Sequence, residues 1–173
     1  MLSNMQYERS ENEYQVIDPS TGTIESFPTG YGGRRDAMRR AVYYQNARLH
    51  RIVIDLVQQL PQTESRAWRA AELVLRGAVK QPLDNNALAS VISSNEYGDY
   101  LIAARDGIIM CDCIDYLDGN APYIGPSGQR LCKHIMATQF ARRLEYRNCG
   151  SCRRKVDAEL MICPFCNGAV TPY

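Results

Sequence analysis

Apolar and polar residues change their period several times along this chain of 173 residues. Residues 1–13 are polar, acidic and without period, which predicts a disordered tail. Tyr14 to Asp18 and Thr23 to Phe27 alternate on either side of Pro19-Ser20-Thr21-Gly22, which predicts a β-hairpin. Pro28 to Gly33 reads as a flexible connection. From Arg34 the spacing becomes helical. Met38, Val42, Leu49, Ile52, Val53, Leu56 and Leu60 share one face, and Pro61 stops the helix. A second helix is expected from an N-cap at Thr63 to about Lys80, anchored by Trp68, Leu73, Val74 and Leu75. The short connection makes the two helices antiparallel neighbours. Asp84 is placed to cap a further short helix with Leu88, Val91 and Ile92.

Strand character then returns. Tyr100 to Ala104 and Ile108 to Met110 predict two strands around a turn at Arg105-Asp106-Gly107. Residues 114–130 read as a loop rich in Asp, Gly, Pro and Asn. A last helix is expected to open at Leu131 to His134, with Ile135, Met136, Phe140 and Leu144 on its apolar face, and to run to about Arg147.

The cysteines give this outline its chemistry. Cys111-x-Cys113 is separated by eighteen residues from Cys132-x-His134, and Cys149-x-x-Cys152 by ten from Cys163-x-x-Cys166. The chain has seven cysteines, and with His134 they make two sets of four with none left over. That is the donor complement of two tetrahedral zinc ions. All the cysteines lie beyond residue 110 in close pairs, and the N-terminus has no export signal, so a reducing, intracellular compartment and metal ligation are expected over disulfides. The four-cysteine set, with Gly168 after its second pair, has the form of two knuckles of a zinc ribbon, with Lys155 to Ile162 as its hairpin.

The segment Tyr100 to Gln139 resembles the SWIM zinc finger, whose pattern is C-x-C, a variable spacer, then C-x-H before a helix. The matching residues are Cys111-Asp112-Cys113 and Leu131-Cys132-Lys133-His134-Ile135-Met136-Ala137. The resemblance implies a ββα module with Cys111, Cys113, Cys132 and His134 as its ligands. SWIM modules are associated with chromatin remodellers, Mu-type transposases, recombination accessory complexes and some ubiquitin ligases. It therefore implies DNA- or protein-binding roles rather than a single activity, and it leaves the first 95 residues unassigned.

Net charge is +1, but it is segregated: residues 1–33 carry −4, 34–80 carry +6, and 81–110 carry −3. Three basic groups are candidate phosphate contacts. Arg34, Arg35, Arg39 and Arg40 open the long helix, where they oppose its dipole. Lys133, Arg142, Arg143 and Arg147 accompany the last helix, and Arg153, Arg154 and Lys155 follow the first knuckle. Tyr97, Tyr100, Tyr116 and Tyr123 flank the finger and have rings suited to packing or to stacking on bases. Asp112, Asp115 and Asp118 read as a solvated loop rim, with a hard-cation nuclease site as the alternative. No nucleotide-binding glycine loop and no membrane span occur.

The sequence thus predicts an α+β protein in four parts: a tail (1–13), a hairpin and helical region (14–95), the SWIM-like finger (96–148) and a zinc ribbon (149–173). The expected function is non-enzymatic. It is nucleic-acid binding, DNA in preference to RNA, as an accessory subunit of a recombination, transposition or other DNA-processing assembly. A larger protein partner is expected, and neither a membrane nor a small-molecule substrate. The alternative is a zinc-stapled adaptor that docks a larger enzyme without touching nucleic acid.

Overall fold

The computed structural model describes residues 7–9, 12–80, 87–92, 98–125, 128–157 and 162–168. The chain is α+β and divides into two compact units, Met1–Phe140 and Ala141–Tyr173. No helix among the described residues is long and apolar enough to cross a membrane.

In the first unit, β2 (Glu13–Ile17) and β3 (Ile24–Pro28) form the expected antiparallel hairpin. The Asp18 carboxylate accepts the Ser20 N–H at 2.8 Å and fixes its loop. The stretch read as a tail also supplies a strand. β1 (Tyr7–Arg9) pairs with β2 and completes a three-stranded sheet. Alternation puts Tyr14 and Val16 on one face of that sheet, where they bury Ala37 and Ala41 of the first helix.

The long helix is two helices, α1 (Tyr31–Gln45) and α2 (Ala47–Gln59). The break is at Asn46. Its backbone leaves the helical region, at φ −155 and ψ 88, and its side chain accepts the Leu49 N–H at 2.9 Å. Asparagine competes for backbone donors in this way and starts helices better than it continues them. The expected apolar face survives the break, since Met38, Val42, Leu49, Ile52 and Val53 are all buried. A 3-10 turn at Pro61–Thr63 leads into α3 (Glu64–Leu75), which ends earlier than Lys80. Thr63 precedes α3 without capping it. Its hydroxyl donates instead to the Leu60 carbonyl at 2.8 Å.

β4 (Val79–Lys80), β5 (Ala87–Ile92), β6 (Asp99–Arg105) and β7 (Ile108–Cys111) form one antiparallel sheet in that order. The short helix expected around Leu88, Val91 and Ile92 is therefore strand β5. Pairing with β6 along Ala87 to Ile92 overrides its helix-like spacing and buries Ala89 and Val91 on one side. Asp84 and Tyr97 lie outside the described residues. Asp106 and Gly107, both at positive φ (52 and 78), turn β6 tightly into β7. Beyond Cys111 come α4 (Ile114–Leu117), the paired strands β8 (Tyr123–Ile124) and β9 (Gln129–Arg130), and α5 (Lys133–Arg143). So the stretch 114–130 is not an unstructured loop.

In the second unit, residues 158–161 of the hairpin expected at Lys155 to Ile162 lie outside the described residues. β10 (Tyr146–Asn148) and β11 (Lys155–Asp157) flank the first Cys-x-x-Cys and pair across it. The helix expected to reach Arg147 stops at Arg143, because 146–148 are taken up by that pairing.

Candidate metal centres

Cys111 is the last residue of β7, opposite Ile102 in the ladder. The chain must bend there for Cys113 to face the same point. It does so because the ladder ends in a side chain: the Asp112 carboxylate accepts the Leu101 N–H at 2.9 Å. Cys113 then caps α4, and its carbonyl accepts the Tyr116 and Leu117 N–H groups at 3.0 Å. Cys132 immediately precedes α5, its carbonyl receiving the Met136 N–H at 3.1 Å, and His134 sits in the helix's first turn. The four ligand atoms lie within 4.8 Å of one another, and all four residues are buried.

Two residues absent from the sequence argument, Gln129 and Arg130, help to hold this arrangement. Gln129 behaves as an extra strand residue. Its side-chain amide accepts the Ile109 N–H and donates to the Ile109 carbonyl, both at 2.8 Å, tying the segment before Cys132 to β7. Arg130 donates to the Tyr116 carbonyl at 3.0 Å and lies over the Tyr123 ring. The Tyr100 ring packs on the His134 imidazole, with centroids 4.4 Å apart. Tyr116 donates to the Ile109 carbonyl at 3.3 Å. Tyr100 and Tyr116 are therefore packing residues, and Tyr123 is the exposed one of the group.

His134 directs Nδ1 to the sulfurs, 3.8 Å from Cys111 Sγ, while its Nε2 is buried without a hydrogen-bond partner. The thiols perturb one another. Hydrogen bonds from Cys111 and Cys132 hold the Cys113 thiol far below the usual range, and bonds with Cys113 and then Cys132, plus burial, drive Cys111 far above it. At Cys132 the Cys111 thiol pulls downward, but the Cys113 thiol and burial outweigh it and raise the group to about 12. Thiolates packed this closely and out of water would repel one another. A cation among them removes the conflict, so the donor set fits a metal ion.

In the second unit the Cys149–Cys166 and Cys152–Cys163 sulfur pairs stand 3.6 Å apart, and all four ligand atoms lie within 4.8 Å. A disulfide would hold two sulfurs at about 2.05 Å, and the seven cysteines are free thiols. The two knuckles repeat each other bond for bond. The Cys149 N–H reaches the Arg154 carbonyl and the Arg153 N–H the Cys149 carbonyl, as the Cys163 N–H reaches Gly168 and the Asn167 N–H reaches Cys163, all at 2.9 Å. Arg153 and Asn167 occupy the same left-handed position, at φ 58 and 57. A Cβ on Gly168 would come within 2.6 Å of Ser151 Oγ, so a larger residue there would have to displace the Ser151 side chain. Backbone N–H groups of Cys152 and then Ser151 stabilise the Cys149 thiolate and bring that thiol down to about 6. Each cluster therefore forms a site able to hold one metal ion.

The basic candidates separate by environment. Arg34 approaches Glu72 at 4.0 Å, Arg35 and Arg39 each approach Glu64 at 3.7 Å, and Arg40 pairs with Glu25 at 2.7 Å. These arginines tie α1 to β3 and α3. Lys133 is half-buried rather than directed outward; burial and then Arg69 hold its amine below the ordinary value. Arg142 and Arg143 occupy the last turn of α5, and Arg147 and Lys155 stand on the paired β10 and β11. Arg153 and Arg154 are exposed, with no carboxylate partner among the described residues, and the Arg154 guanidinium lies 4.9 Å from the Phe165 ring centre. The three loop acids have separate contacts. Asp112 is bonded to Leu101, Asp115 is held by Arg66 at 2.9 and 3.0 Å, and Asp118 closes α4.

No protein-family model matches this chain, and no curated protein or solved structure matches it.

Proposed function

We propose that each cluster holds one zinc ion, and that the protein is a non-enzymatic nucleic-acid-binding subunit whose second unit, a zinc ribbon, makes the contact. Zinc is favoured by donor type and spacing. Bonds of about 2.3 Å to tetrahedral zinc put neighbouring sulfurs about 3.8 Å apart, close to the 3.6 Å separations of the four-cysteine cluster. Zinc supplies two positive charges that bind the thiolates and lock the chain around them. Four protein ligands leave no position for substrate, which is why both ions are read as structural. The order of β6, β7, Cys-x-Cys, Cys-x-His and α5 is what supports a SWIM-like finger in the first unit.

The observation that carries the nucleic-acid reading is on the first knuckle. Arg153 holds a left-handed backbone that costs a non-glycine residue about 1 kcal/mol or more; it is exposed with no carboxylate partner among the described residues, and its chain neighbour Arg154 sets its guanidinium against the exposed Phe165 ring. Two guanidiniums for phosphate and a ring for a base are the parts of a single-strand contact. DNA and an accessory role in a recombination, transposition or other DNA-processing assembly follow from the SWIM likeness. The test is binding of single- and double-stranded DNA and RNA at two salt concentrations, with Arg153→Glu and Arg154→Glu. A steep salt slope, reduced in the charge-reversed protein, is the expected result.

A second reading has its own support. Ile114 and Leu117 are one turn apart on α4 and are 69% and 63% exposed, an apolar face suited to a protein partner. Two bound zinc ions with no nucleic-acid binding at about 50 mM salt would decide for the adaptor.

A further inference from the structure

The arginines of α1 do more than tie helices together. Phe27, Asp36, Arg39, Arg40, Tyr43 and His50 line an open cleft of 390 Å³ between β3 and the first two helices. That volume is within the range of small-ligand sites, about 300 to 1,000 Å³. Two of the lining rings meet, Tyr43 lying edge-on to His50 at 5.4 Å, and behind them His50 lies 5.5 Å from the buried Trp68. Tyr43 is 48% exposed although it is a large ring on a helix that buries Ala37, Met38, Ala41 and Val42.

The polar groups complement the rings. Among the described residues Arg40 uses Nε for Glu25 and Arg39 meets Glu64 only at 3.7 Å, which leaves most of the ten N–H donors of the two guanidiniums without a described acceptor. Asp36 is the one acid in the lining, and Arg35 holds it at 3.2 Å. Burial and then the charges of Arg39 and Arg40 keep His50 below its ordinary pKa, so at neutral pH the ring is uncharged and carries one donor and one acceptor. An exposed aromatic face, two cations and a neutral imidazole in one cleft suit a ligand that is planar at one end and doubly anionic at the other.

We infer that this cleft binds a nucleoside monophosphate unit, with the base against Tyr43 and the phosphate at Arg39 and Arg40. The cleft is lined by residues of the first unit alone and rests on none of those given the nucleic-acid reading in the second. The unit is either a free nucleotide or one residue of a strand.

The chain has two histidines, one of them in the first metal cluster, so ring NMR signals of the zinc-loaded full chain report the cleft directly. The probes are adenosine monophosphate, adenosine, inorganic phosphate and a short oligo(dA). Adenosine monophosphate is expected to move the His50 signals saturably and leave His134 in place, with adenosine and phosphate each at least about tenfold weaker. Tyr43→Ala should weaken it by about tenfold with an unchanged melting midpoint, and Tyr43→Phe should restore it. Tighter binding of oligo(dA) than of the mononucleotide at these same signals assigns the site to a strand, and the reverse order to a free nucleotide. Phosphate as effective as the nucleotide, an unaffected Tyr43→Ala, or no shift at about 10 mM overturns the proposal. Loss of oligonucleotide binding in Arg153→Glu and Arg154→Glu with the His50 response intact would separate the two sites.

Discussion

Arg66 on α3 grips the Asp115 carboxylate with Nε at 3.0 Å and an amino nitrogen at 2.9 Å, and reaches on to the Asn120 carbonyl at 2.9 Å. Asp115 follows Cys113 by two residues, so this fork joins α3 to α4 beside a member of the first cluster. Both side chains are about a third exposed. Arg66→Ala should therefore cost about 1 kcal/mol, measured by urea unfolding of the metal-loaded protein, without loss of metal. Release of one metal on that substitution would mean that the fork supports ligation rather than packing alone.

Metal content should be two ions per chain by native mass spectrometry. Cys132→Ala should leave one, because it deletes a fully buried donor from the first cluster alone. Chelation should broaden thermal unfolding of the wild type, since metal binding and folding share their free energy at such sites. An unchanged sharp transition after complete metal removal would refute a structural role.

Asn46 separates α1 from α2 by accepting the Leu49 N–H. Asn46→Ala removes this cap and should cost about 1 kcal/mol by urea denaturation, whereas Asn46→Asp, which preserves the acceptor, should cost less. Equal losses would show that the bent backbone and not the cap sets the stability there.

His50 predicts a pH effect. Burial, with Arg39 and Arg40, depresses its folded pKa below 6.5. The unfolded chain then binds the extra proton first. Its contribution to stability is complete above the ordinary value and is lost as pH falls through the folded one. His50→Gln, which cannot take up that proton, should flatten the fall in melting midpoint below about pH 6.5. A profile parallel to the wild type would place the acid sensitivity elsewhere.

Arg153 and Asn167 provide an internal comparison, since the knuckles share their hydrogen bonds and their left-handed position. Arg153→Gly should stabilise the four-cysteine unit by about 1 kcal/mol, read as slower metal loss to a chelator, while weakening nucleic-acid binding. Slower metal loss with undiminished binding would remove Arg153 from the proposed contact.

Much of the local order is legible in the sequence. Alternation located β2, β3, β6 and β7, and helical spacing located the buried face of α1 and α2. Where it failed, a longer-range partner outweighed a local preference: β6 claimed Leu88 to Ile92 as strand, and the segment after the first knuckle claimed 146–148 from the end of α5. The charge pattern of Arg34, Arg35, Arg39 and Arg40 was visible, but not that Glu25, Glu64 and Glu72 would meet it from other elements.

The division between sequence and tertiary structure follows from range. The grouping of the seven cysteines and His134 into two clusters was legible in the sequence, because candidate metal donors are few residue types and each pair is close in the chain. The cleft at Tyr43 and His50, the Arg66–Asp115 fork and the Gln129 clamp on Ile109 were decided by folding alone. Each joins segments far apart in the chain, and no local pattern records which distant backbone or charge a side chain will meet.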